Sequence, residues 1–403
     1  MNPRGVLRVR PAVAIGALVG RLLALAPGVM PRSTLIAVAA GVLLTLVGMG
    51  VGAAAGAVRN RLVDDRPDPV TGVWLAVGLM ASGVAVGVAA RHEIAVRAAL
   101  DVPSIGIGWV LAVTTVPMIA AVLAVTIRPR VWAATVLVGA VALTALRTPG
   151  PADAARPDVP DSPAMIYSLL TEPGSVQTRA DRLVDRWVDA GGLDRRAVVV
   201  AVPTGSGWVD AGTVDGVQRR FDDSVTVLAL QYDDVASWKA FVSSPDAAGD
   251  SAIAVLRAVD RRLDAVPPQR RPRVYLVGQS LGAVGADAAR AWAVRTGAHV
   301  DGTVLAGPPA GTVEALPSCA RRVVLANRDD PVTAFSEALL WRPADRTLDA
   351  EPTDDGDRQP WLPVVSMIGT VLDLPGALDV PTGHGHRYGV EQGLAIGRLP
   401  AGC

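Results

Sequence analysis

From Pro11 to Leu146 the chain is written almost wholly in Ala, Val, Leu and Gly, and no other feature limits its fold as strongly. Leu35–Val58, Thr71–Ala90 and Ser104–Ile127 carry no charge, and each is long enough to cross a bilayer as a helix. Val131–Leu146 is shorter but apolar throughout, with Trp132 placed for a membrane interface. Pro11–Val29 has the length of a span but holds Arg21 at its middle, where a charge is costly. These segments predict an N-terminal transmembrane bundle of about five helices over residues 1–147. Apolar segments continue far beyond any signal-peptide cleavage site, which argues against a cleaved leader.

Arginine is unevenly shared between the two sets of loops. One set holds Arg4, Arg8, Arg10, Arg59, Arg61, Arg66, Arg128 and Arg130, and the other only Arg32, Arg91 and Arg97. The positive-inside rule places the richer set in the cytoplasm and the C-terminal part of the chain outside it. Gly48, Gly52 and Gly56, like Gly83 and Gly87, recur four apart, a spacing that lets helix backbones approach closely. It predicts packing within the bundle, with membrane-protein partners as an alternative use of the same faces.

Residues 148–163, "TPGPADAARPDVPDSP", have the composition of an extended linker. From residue 164 to 403 fully apolar runs such as "AVVVA" and "SVTVLALQY" alternate with amphipathic stretches. That alternation predicts a mostly parallel sheet with helices on both faces. The net charge of the chain is zero, which gives no general attraction to nucleic acid.

One stretch carries chemistry. "RPRVYL" reads as a buried strand, Gly278-Gln279-Ser280-Leu281-Gly282 is a G-x-S-x-G, and "AVGADAARAWAVRTG" reads as a helix closed by glycine. Strand, sharp turn with serine at the apex, then helix is the layout of a nucleophile elbow, whose glycines remove side chains that would clash. A serine nucleophile needs a base and an acid that orients it, in the chain order Ser, Asp or Glu, His. Asp329 and Asp330 follow the strand "RRVVLAN"; Asp330, before Pro331, is the preferred acid and Asp329 the alternative. "PTGHGHRYG" offers His384 and His386, two of only four histidines. His92 and His299 receive no role. For the oxyanion, the Leu281 N–H at the start of the elbow helix is one donor. Backbone amides of Thr204-Gly205-Ser206, in the loop after "AVVVA", are expected to supply the second.

The strings "PTGSGWVD", "LALQYDDVAS", "LVGQSLGA", "ANRDDPVTAF" and "PTGHGHRYG", in this order behind several apolar spans, resemble the bacterial membrane-anchored α/β-hydrolase family with a multi-pass N-terminal region. "APGVMPRS", residues 26–33, is similar to that family's segment after its first span. The resemblance implies an α/β-hydrolase fold in a bacterial plasma membrane. It also implies a serine triad of Ser280, Asp330 and His386. Arg21 in the first span and Gln279 in place of Glu depart from the family pattern.

These readings predict a membrane-anchored serine hydrolase that cleaves lipid or cell-envelope acyl esters at the bilayer without metal or cofactor. An acyltransferase on the same triad and a non-catalytic, lipid-binding or scaffolding membrane protein are the alternatives. Phe335–Pro363 is open to reading as a cap, with Trp341 or Trp361 lining an acyl pocket, or as a solvated loop. Cys319 and Cys403 suit a disulfide in an oxidising compartment, or two free thiols.

Overall fold

A computed structural model describes residues 9–63, 70, 72–126, 162–344, 350–352 and 361–403. The expected span Val131–Leu146, nearly all of the linker, and Arg4, Arg8, Arg66, Arg128 and Arg130 lie outside the described residues. The chain divides into two compact units. One comprises Met1–Thr148, Leu340–Arg342 and Gln359–Val380; the other comprises Pro149–Leu339, Pro343–Arg358 and Pro381–Cys403.

The second unit is built on a seven-stranded, wholly parallel sheet. Its strands are β1 (Met165–Ser168), β2 (Ala197–Val202), β3 (Val225–Leu230), β4 (Arg273–Gln279), β5 (Gly302–Ala306), β6 (Arg322–Ala326) and β7 (Ala350–Pro352), in the order β1-β3-β2-β4-β5-β6-β7. Every residue of β2 and β3 is buried, which is why both read as unbroken apolar runs. Alternate side chains enter opposite layers. Val198, Val200, Leu228, Leu230, Leu276 and Leu305 pack under the helices Val176–Asp189, Ala247–Asp264 and Leu281–Thr296. Val199, Val227, Tyr275, Val277 and Val304 meet the helix Ala211–Phe221 and residues Ala395 and Ile396 on the other face. Successive strands are laid to one side of β2 and then to the other, so strand order reverses between β2 and β4. In such sheets the crevice at the carboxyl ends of the strands at this switch is where ligands bind. The loops after β2 and β4 meet there. Cys319 and Cys403 form a disulfide that ties the C-terminus to the segment before β6.

Of the segment between Asp330 and the histidines, the described parts are not all loop. Glu337–Leu340 forms a 3-10 turn, and β7 extends the sheet beyond β6. Trp341 is 74% exposed.

The first unit contains α1 (Pro11–Ala24), α2 (Thr34–Leu62), α3 (Gly72–Ala99) and α4 (Ile107–Thr126). The last three are long and apolar enough to cross a membrane. α1 covers the segment whose spanning Arg21 left open. It has 14 residues and so reaches about 21 Å at 1.5 Å per residue, short of the roughly 30 Å of a hydrocarbon core. The apolar composition runs on to Val29, but the helix stops before Pro27, which disfavours helical backbone in the residue preceding it. α1 runs antiparallel to α2 at backbone contact: a Cβ on Gly16 would lie 2.0 Å from the Gly48 carbonyl oxygen, and one on Gly52 would lie 2.1 Å from that of Ala12. Gly48 and Gly52 therefore pack within the unit, as expected. A Cβ on Gly83 or Gly87 would meet nothing within 4 Å among the described residues.

Arg21 is buried against α4, where its Nη2 donates to the Val113 carbonyl at 2.5 Å. Val113 stands four residues before Pro117, which has no N–H to give it. The arginine thus fills a backbone acceptor that a proline left open, and Gly41 leaves room for the guanidinium.

Gln359–Val380 belongs with these helices, although composition alone assigned it to the soluble domain. Its helix Val365–Asp373 ends in a buried carboxylate. Asp373 Oδ1 accepts from Arg32 Nε at 3.1 Å, and its Oδ2 accepts from Val29 N at 2.8 Å. Glu93 Oε1 in turn accepts from Arg32 N and from Arg97 Nε. His92 Nε2 lies 2.7 Å from the Gly28 carbonyl. Burial raises the Asp373 carboxyl above its usual range even beside Arg32. Met30, Leu100 and Val380 close an apolar cluster in the same unit.

Candidate active site

β4 ends at Gln279, and the helix Leu281–Thr296 begins two residues later, so Ser280 alone makes the turn. Its φ of 56° and ψ of −123° lie where side chains are strained. The turn closes only because its flanks are glycines. A Cβ on Gly278 would lie 2.1 Å from the Gly282 carbonyl oxygen, and one on Gly282 would lie 2.2 Å from that of Val202. Ser280 N donates to the Ala306 carbonyl at 2.9 Å, which pins the apex to β5. Ser280 itself stays partly exposed.

Asp330 and His386 meet across the carboxyl edge of the sheet. Asp330 caps the short helix Pro331–Ala334 through Oδ1, which accepts from Val332 N at 2.8 Å. Its Oδ2 lies 2.7 Å from His386 Nδ1. With Nδ1 facing a carboxylate, the proton of a neutral imidazole sits there and Nε2 is left to accept one. That Nε2 is buried and makes no hydrogen bond among the described residues. The ring lies against Gly307, the residue after Ala306, where a Cβ would come within 2.8 Å of His386 Cε1.

The neighbouring Asp and His form a second pair. Asp329 Oδ2 lies 3.1 Å from His384 Nδ1, and Asp329 Oδ1 accepts from Gly385 N at 2.8 Å. This pair clasps the loop that carries His386. Asn327 adds to the clasp by donating to the carbonyls of Gly385 and Arg387.

Several further residues complete the site, and of these the sequence singled out only Gln279. Tyr388 OH donates to Asp330 Oδ2 at 2.7 Å and accepts from Asn327 N at 3.2 Å. Burial, with the Asp330 carboxylate beside it, pushes the Tyr388 phenol well above its ordinary value, so it remains a donor. Its ring stands edge-on to that of His386, with centroids 5.9 Å apart. Gln279 Nε2 donates to the His386 carbonyl at 3.2 Å, which a Glu in this position could not do while ionised. Gln392 Nε2 donates both to Gln279 Oε1 and to Asp210 Oδ2. Asp210 caps the helix Ala211–Phe221 that follows the β2 loop. Burial raises its carboxyl above the usual range, against the hydrogen bonds from Thr213. This buried polar chain runs from the histidine loop, beneath the elbow, to the loop after β2. Tyr388, in "GHRYG", and Asp210, before a helical run, had weak local signals; Gln392 had none.

The oxyanion donors differ in part from expectation. Leu281 is the first residue of its helix, where N–H groups have no partner in the preceding turn. In the β2 loop, however, Thr204 N donates to the Trp208 carbonyl at 3.0 Å and Gly205 N to Ser237 Oγ at 3.3 Å. Both amides are engaged, one within the loop and the other by the helix that follows β3. The exposed Ser206 and the Thr204 hydroxyl are left; Thr204 Oγ1 lies 3.3 Å from Ser206 Oγ. No group of three or more His, Cys, Asp or Glu among the described residues could hold a metal ion.

A sequence profile described as "Alpha/beta-hydrolase family" matches residues 165–316 and 314–396, more than half of the chain. The chain belongs to the alpha/beta-hydrolase family. Among solved structures this α/β-hydrolase is similar to a Trichoderma reesei cutinase in complex with a C11Y4 phosphonate inhibitor. The identity is 15% and the TM-score 0.25, over 50% of this chain and 89% of the cutinase. A likeness that low is no guide to activity. Among curated proteins none matches.

Proposed function

We propose that this α/β-hydrolase is a membrane-anchored serine esterase that acts on lipid or envelope acyl esters outside the cytoplasm. The observation that carries the reading is the 2.7 Å contact of Asp330 with His386 in the chain that also bears Ser280 on a strained elbow. Ser280 Oγ attacks the acyl carbonyl carbon and gives its proton to His386 Nε2. Asp330 holds the imidazole and stabilises its charged form. The Leu281 N–H, with Ser206 N–H or the Thr204 hydroxyl, stabilises the oxyanion. The intermediate collapses, and the alcohol leaves with the proton from His386. Water then attacks the acyl-serine, His386 takes its proton, and the acid departs as Ser280 is restored.

Three apolar helices support the anchoring. The distribution of loop arginines supports an outward-facing hydrolase unit. Asp373, on the segment that leads into "PTGHGHRYG", bonds Arg32, which belongs to the arginine-poor loops, and that agrees with the same side. So does the disulfide.

The test is labelling of the purified full chain by a fluorophosphonate, wild type against Ser280→Ala, together with hydrolysis of p-nitrophenyl esters. Labelling and turnover that both vanish in the variant are expected. Equal labelling of the two proteins would refute the assignment of Ser280.

A further inference from the structure

The helix Ser237–Ser243, in the connection after β3, has two contrasting sides. Ala240 is fully buried and clusters with Ala248 and Leu281. Its methyl group abuts Gly205, where a Cβ would lie only 2.7 Å away, and Ser237 Oγ accepts from Gly205 N. The inner side of this helix thus supports both loops that carry the candidate oxyanion donors. On the outer side Trp238 is 73% exposed, Val242 76% and Phe241 41%. At about 100° per residue these three fall within an arc of roughly 100°, nearly opposite Ala240. Lys239, the only lysine of the chain, flanks them and is exposed. Leu169 and Leu170, just past the carboxyl end of the adjoining β1, are also exposed, and Gln231 Oε1 accepts from Leu170 N.

An exposed Trp–Phe–Val stripe beside a lysine suits the boundary between headgroups and acyl chains. Trp favours that depth, and Lys can lay its stem along apolar surface with the ammonium in water. The same chain carries three helices long and apolar enough to cross a bilayer.

We propose that Ser237–Ser243 dips into the leaflet facing the hydrolase unit, and that the ester substrate is a lipid drawn from that leaflet. The proposal rests on the membrane-anchored esterase reading above.

The native cysteines are joined to each other, so single introduced cysteines can be labelled selectively. The full chain is reconstituted in phosphatidylcholine vesicles with an environment-sensitive dye at Val242→Cys, Val84→Cys or Arg195→Cys. Val84 is an exposed position on α3, and Arg195 is exposed just before β2. Doxyl-labelled phosphatidylcholine should quench the dye at 84 and at 242 and spare it at 195. Quenching at 84 with position 242 behaving like 195 overturns the proposal and leaves the membrane anchor standing. No quenching at 84 overturns the anchor and the proposal together. Val242→Asp should lower turnover of a long-chain ester carried in the same vesicles by about tenfold. Unchanged turnover would overturn the route of entry. A wild type that hydrolyses no ester would overturn the substrate half along with the esterase reading, and the quenching result would still decide the docking half.

Discussion

Replacing Ser280 by glycine should make the protein more stable than replacing it by alanine. Either change removes the hydroxyl, and the serine side chain makes no capping hydrogen bond, so their loss of contacts is nearly the same. They differ in backbone freedom. A β-carbon at φ 56° and ψ −123° carries strain of about 1–3 kcal/mol, which alanine keeps and glycine releases. Glycine also loses about 0.5–1 kcal/mol more chain entropy on folding. The balance favours glycine by about 1 kcal/mol, whereas at an unstrained site alanine is ahead by about 0.5–1 kcal/mol. For a unit of this size 1 kcal/mol moves the melting temperature by about 2–4 °C. The assay is thermal unfolding of the two purified variants in the same detergent, followed by tryptophan fluorescence. Ser280→Gly should melt about 2–4 °C above Ser280→Ala, with both inert to the fluorophosphonate. A glycine variant that melts below the alanine variant would refute the account of the elbow as a strained turn.

Gly278→Ala should lower turnover by about 100-fold and destabilise by about 1–3 kcal/mol, because its methyl group would press on the Gly282 backbone; wild-type esterase kinetics and melting would contradict this. Tyr388→Phe removes a donor to Asp330 and an acceptor from Asn327, and should destabilise by about 1.5–3 kcal/mol in the same melting assay. Asp210 has a folded pKa raised above its unfolded value, so its contribution is fully present below the unfolded pKa and is lost as pH rises through the folded one. Asp210→Asn should therefore gain on the wild type in melting temperature between pH 4 and pH 7.5, and a gap that moves the other way would exclude burial as the cause. In the helical unit, Arg21→Met should be costly by about 1.5–3 kcal/mol, and less so in a Pro117→Ala background, where position 117 regains an N–H for Val113. A double-mutant cycle of melting temperatures measures the difference.

The strands and the elbow were legible in the sequence because their signals are local. "AVVVA" and "SVTVLALQY" are buried on both faces, and the two glycines of the elbow are required within five residues. From the residues themselves the base could be narrowed only to two near neighbours, and the acid to Asp330 with Asp329 as the alternative. Asp329 and Asp330 are adjacent, as nearly are His384 and His386, and only the fold reveals that they pair 329 with 384 and 330 with 386. Where the first helix stops was not legible, because apolar composition continues past its end; Pro27 and Gly28 mark the stop. The place of Asp373 could not be read at all, since its partner Arg32 lies 341 residues away.

That partnership has a practical consequence for anyone who wants the hydrolase without its membrane part. The chain leaves the hydrolase unit, spends Gln359–Val380 among the N-terminal helices, and returns only five residues before His386. A cut at the linker would strip Asp373 of Arg32 and Val29, and would strip Val380 of Met30 and Leu100. The freed fragment would carry an apolar helix with a carboxylate that no longer has a cation, tethered next to the histidine loop. Soluble fragments that begin after the linker should therefore aggregate or lose order around "PTGHGHRYG". Separately produced N-terminal helices, supplied in trans, are the natural partner for rescuing them.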